Sequence, residues 1–158
     1  MVNRSSRNKA CQILKRFALG RITDCDCENA FTYLWPDKDG VLFALYRTVF
    51  EISGDTDKSL AYIFLRGSEM RKRVCRWILF LKTDLEYEWP EDRLAPGIRD
   101  FYNPNFFDKL FCLEARIIRS NQKFISQGDY QVWPFFRDSD FTAAKLACAQ
   151  KRMTSRTP

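Results

Sequence analysis

The chain has 158 residues, a formal net charge of +6, and 14 Phe, 6 Tyr and 4 Trp against no histidine. That length fits one domain with room for a real core, and so aromatic a composition excludes a disordered chain. The missing histidine removes Ser-His-Asp and Cys-His nucleophile arrangements and the commonest metal ligand.

In chain order, residues 1–8 read as a mobile basic tail. From Lys9, the residues Ala10, Ile13, Leu14, Phe17 and Ala18 share one helical face, and Gly20 stands where a left-handed residue stops a helix. Thr23 opens a second helix, with Asp26 three residues on approximating a capping box and Cys27, Ala30, Phe31 and Leu34 as its apolar stripe. A helix-turn-helix reading fails here, because the second helix would carry Asp24, Asp26 and Glu28 towards phosphates. Trp35-Pro36 ends it, and Asp37 or Asp39 caps a third helix running to about Ser53 and closed by Gly54.

Residues 55–59 form a loop, and Leu60–Leu65 is ambiguous between a strand and a helical turn. Gly67-Ser68 then starts the central element. Met70, Val74, Trp77, Ile78, Leu81 and Leu85 recur at helical spacing over about 69–85, and Trp77 to Leu81 is apolar on every side. This helix is expected to be buried, with the rest of the chain wrapped round it. After Pro90 the chain is irregular, and a further helix runs from about Pro104 to Arg119. Residues 121–134 read as extended or loop. Asp138 or Ser139 caps a last helix with Phe141, Ala144, Ala147 and Cys148, and 152–158 form a second mobile basic tail. The expected fold is mostly α: one domain over 1–158, a compact bundle of five to six helices with extended connections.

The positive charge belongs to the two ends. Arg4, Arg7, Lys9, Lys15, Arg16 and Arg21 stand at one end and Lys145, Lys151, Arg152 and Arg156 at the other, while all 20 acids lie between. Basic ends suit nucleic acid or an acidic partner, and they also keep a protein in solution. The apolar runs fall far short of the ~20 residues a membrane span needs. The Arg- and Ser-containing start resembles a transit peptide, but its apolar spacing reads as a core helix. Six cysteines without a secretory leader read as reduced, buried thiols of a cytoplasmic protein.

Candidate chemistry is thin. No GxxxxGK[ST] loop or GxGxxG turn occurs. The one close cysteine pair, Cys25-Asp26-Cys27, has the wrong spacing for a structural zinc site, so no metal and no cofactor is expected. The acids Asp24, Asp26 and Glu28, and Glu86, Glu88, Glu91 and Asp92, read as a charged helix start and a solvated loop, and no catalytic residue is assigned. Arg71, Lys72, Arg73 and Arg76 are different. At the start of the central helix they oppose its dipole, at about 0.3–1 kcal/mol each, and are the candidate anion- or partner-binding site. The alternative is pairing with acids such as Asp55, Asp57 or Glu69, or plain solvation. Trp35, Trp89 and Trp133 each precede proline, either as plugs of the core or as part of an aromatic patch. On the second reading, Trp89, Trp133 and Arg137 are partner contacts.

Two phrases, Ile78-Leu79-Phe80-Leu81-Lys82-Thr83-Asp84-Leu85-Glu86-Tyr87-Glu88-Trp89-Pro90 and Trp133-Pro134-Phe135-Phe136-Arg137, carry a resemblance, with Phe17 to Thr23 as a third patch. Together they resemble a group of small uncharacterised bacterial proteins of unknown function. The resemblance implies a bacterial or phage cytosolic origin and adds no activity. Cys25 and Cys27 depart from the polar, acidic segment expected there. The sequence thus points first to a non-enzymatic protein-interaction module, a regulatory, immunity or anti-defence factor. The alternatives are a nucleic-acid-binding accessory using the basic ends and the Arg71–Arg76 cluster, and an enzyme with carboxylates and Arg99 or Arg137 in a pocket.

Overall fold

The computed structural model describes residues 1–34, 38–54, 68–91, 95–97 and 114–154. Within them the chain forms α1 (Arg4–Ala18), α2 (Asp24–Thr32), α3 (Gly40–Gly54), α4 (Ser68–Leu81), α5 (Glu114–Ile125) and α6 (Asp138–Thr154), with a 3₁₀ turn at Tyr130–Val132 and no strand among the described residues. The architecture is all-α, as the periodicity expects. Leu60–Leu65, the Trp35-Pro36 exit, Arg99, Cys112 and the Pro104 start of the fifth helix lie outside the described residues.

Local signals set several boundaries. The Asn3 side chain accepts the Ser6 N–H and opens α1. Gly20 closes it at φ 65°: the Gly20 N–H reaches the Phe17 carbonyl and the Arg21 N–H that of Arg16, the paired bonds of a Schellman stop. Thr23 and Asp26 form the full reciprocal capping box of α2. The apolar faces then meet: α1 packs on α4 and α2, and α2 on α3. Ala10, Leu14, Phe17, Phe31, Leu42, Leu45, Trp77 and Leu81 form the shared core.

A second packing zone is aromatic. Residues 84–91 follow α4 without regular secondary structure and lie against the 130–137 turn. Trp89 stacks on Phe124 at 5.1 Å and meets Tyr130 and Phe136 edge-on, while Phe80 meets Phe135 at 5.0 Å.

Some expectations need correction. Residues 1–8 are no mobile tail: α1 begins at Arg4, and Arg7 is fully buried because Asp39 pairs with it. Residues 152–154 belong to α6 rather than to a tail. The central helix ends at Leu81, not near Leu85. The Lys82 and Thr83 amides turn back onto the Leu79 and Phe80 carbonyls, and Arg4 and Arg7 of α1 take the Leu81 and Thr83 carbonyls. Cations at a helix C-terminus complement its dipole. The fifth helix continues past Arg119 to Ile125, because Asn121 and Phe124 are buried on its continuing face. Among the described cysteines, Cys11 and Cys27 are buried as expected, but Cys25 and Cys75 are exposed and Cys148 is half-buried. Ile78 and Leu79 are half-buried, so α4 is not enclosed on every side.

Candidate functional site

The cation cluster of α4 does not gather round one ligand position. Arg71 and Lys72 are exposed, and the Lys72 ammonium lies 3.5 Å from the Glu69 carboxylate one turn back. Arg73 turns inward to 9% exposure and donates to the Gly97 carbonyl at 3.1 Å. Arg76 donates to the Gln131 carbonyl. Two of the four therefore fasten connecting segments onto the helix.

Trp89 and Trp133 are each 3% exposed and offer no face to a partner. Their partner-contact role is corrected by packing. The Trp89 indole N–H donates to the Phe135 carbonyl at 3.1 Å, and that of Trp133 to the Tyr87 hydroxyl at 3.2 Å. Trp77 meets Trp133 edge-to-face at 5.8 Å. The two Trp-Pro exits are plugs of one aromatic zone. Arg137 does lie at the surface, held in a two-point bond to Glu88 at 2.8 Å for each contact and 3.5 Å from Asp140. The Glu88 hydrogen bonds and charge raise its pKa above the ordinary guanidinium value, so it is a fixed cation.

Two apolar clefts lie elsewhere, where α6 packs against α4. Phe141, Ala144 and Cys148 are among the α6 side chains turned inward, and the small residues around them cannot fill the gap between the helices. One cleft of about 440 Å³ is lined by Leu79, Lys82, Thr83, Asp84, Ala144, Ala147, Cys148 and Lys151. A second, of about 310 Å³, shares Leu79, Lys82 and Cys148 with it and adds Cys75, Ile78, Lys145 and Ala149.

The rim is cationic. Lys82, Lys145 and Lys151 make no ion pair among the described residues, and the one lining acid, Asp84, is engaged by Arg4. The Lys145 ammonium sits 4.4 Å over the Phe141 ring, which holds it at the cleft edge. Among the described residues no group of three or more His, Cys, Asp or Glu side chains could hold a metal ion. The two clefts thus combine an apolar floor with a rim of lysines.

Sequence reading missed this site. Leu79 counts there as core and Lys145 and Lys151 as tail charge. The available signal was the narrowness of the apolar stripe on α6, with alanine at 143, 144, 147 and 149. No protein-family model, no curated protein and no solved structure matches the chain.

Proposed function

We propose that this chain is a non-enzymatic protein-interaction module, a regulatory, immunity or anti-defence factor of bacterial or phage origin. The observation that carries the reading is the thin seam between α4 and α6, which leaves Ile78, Leu79, Ala147 and Cys148 incompletely covered. Contiguous apolar surface rimmed by polar groups marks an interaction site. The buried aromatic zone beside it supplies a rigid support.

The test is affinity capture with the whole chain as bait, followed by reconstitution from purified components. The expected result is a stoichiometric complex with one protein, seen by size-exclusion chromatography with light scattering. Recovery of nucleic acid alone, or of no component that reconstitutes, overturns the reading.

One observation favours a second reading, a nucleic-acid-binding accessory. The solvent side of α1 and the turn after it expose Lys9, Lys15, Arg16 and Arg21, with no acid in Arg4–Ala18. Binding through that face releases counterions and so weakens steeply with salt. Affinity for duplex DNA that is indifferent to salt, or no better than for a polyanion control, eliminates it.

A further inference from the structure

We infer that the two confluent clefts between α4 and α6 seat an acidic amphipathic helix of a partner protein. This rests on the interaction reading above and names the chemistry of the partner. Three observations converge. Leu79 and Cys148 belong to both clefts, with Ile78 on one side and Ala147 on the other, so the apolar floor is continuous across the seam. Apolar anchors at i, i+3, i+4 and i+7 suit such a floor. The three lysines are distributed around it: Lys82 faces both clefts, Lys145 one and Lys151 the other. Their charges have no ion-pair partner among the described residues, and Asp84 is already held by Arg4. The cleft is therefore positive as well as apolar, and carboxylates flanking the anchors complete it. A nucleic acid would leave that floor bare, since its linings carry no aromatic face on which a base could stack.

The structure supplies its own reporters. Cys75 lines one cleft and Cys148 both, while the exposed Cys25 lies on α2, lining neither. The probe is a fluorescent peptide of about four helical turns with leucine anchors and glutamate between them, compared with the same peptide carrying lysine for glutamate. The glutamate peptide is expected to bind, to slow N-ethylmaleimide labelling of Cys148 about tenfold at saturation, to slow Cys75 as well, and to leave Cys25 unchanged. The exposed-residue variant Lys82→Glu/Lys145→Glu/Lys151→Glu should bind at least about tenfold more weakly, with an unchanged helical circular dichroism spectrum. Equal binding of the lysine peptide, unprotected Cys148 in the wild-type chain, or full affinity in the folded triple variant each overturns the inference. Failure here is distinct from failure of the interaction reading. A captured partner that binds the triple variant normally, and leaves Cys148 reactive, places docking elsewhere on a genuine interaction module.

Discussion

Arg7 and Asp39 face each other as a two-point ion pair with side-chain exposures of 0% and 2%. The Arg7 Nε donates at 2.6 Å to one carboxylate oxygen and Nη2 at 3.0 Å to the other. Asp39 also accepts the Asn3 N–H, and Arg7 donates to the Thr83 carbonyl while its guanidinium lies 5.2 Å from the Phe80 ring centroid. The pair thus ties the first turn of α1 to the entrance of α3 and the exit of α4.

Removing one member strands the other. Arg7→Ala or Asp39→Ala should each lower stability by about 3–5 kcal/mol in urea unfolding, because a charge is left in the core without its partner. The double change Arg7→Met/Asp39→Leu should recover a large part of that loss, since no charge is then buried. Single variants that unfold at the wild-type midpoint would show that the pair does not hold the three elements together.

Gly97 is a second junction. Its N–H donates to the Thr48 hydroxyl and its carbonyl accepts from Arg73, both at 3.1 Å. A Cβ there would lie 2.6 Å from the Thr48 methyl and 2.7 Å from the Trp133 ring. Thr48 is β-branched and Trp133 buried, so neither yields easily. Gly97→Ala should therefore destabilise by about 1–3 kcal/mol. Adding Thr48→Ser, which deletes the methyl and keeps the hydroxyl, should return part of it in the same denaturation measurement.

What was legible in the sequence followed the distance between cooperating residues. Thr23 with Asp26, and Gly20 against Phe17 and Arg16, act within one turn, so their pattern is visible without a fold. The burial of Arg7 depends on Asp39, 32 positions away, and the end of α4 at Leu81 depends on Arg4, 77 positions away. Isolated charge counting therefore reads both arginines as tail. The same holds for the site. The cations of α4 are evident as an anomaly, but their use on Gly97 and Gln131 carbonyls is tertiary, and so is the gap that α6 leaves beside Leu79.

Acid should open α2 from its start. Asp26 accepts from the Thr23 hydroxyl at 2.8 Å and the Thr23 N–H at 3.1 Å. Those bonds, with the charge of Arg16, hold its pKa below the usual carboxylate value. A group so depressed stabilises the fold fully above its unfolded pKa of about 3.9, and the contribution disappears as pH falls through the lower folded value. Protection of the amides at the start of α2, taken relative to their intrinsic exchange, should fall below about pH 4. Asp26→Asn should remove that pH dependence, and an unaltered profile would show that the capping carboxylate does not govern the helix start.

The aromatic zone gives a direct separation of core from contact. Trp89→Phe keeps a ring against Phe124 but removes the donor to the Phe135 carbonyl, leaving a buried acceptor without its bond. The loss should cost about 1–3 kcal/mol, with an added term for the smaller ring. For a domain of this size that lowers Tm by on the order of 5 °C. A partner contact would behave in the opposite way, weakening association while the melting curve stayed in place. Because Trp89 is 3% exposed and packed on three rings, the prediction is a lowered Tm with partner affinity retained at temperatures where the variant is folded. An unchanged Tm with lost affinity would return Trp89 to the surface and overturn the packing argument for both Trp-Pro exits.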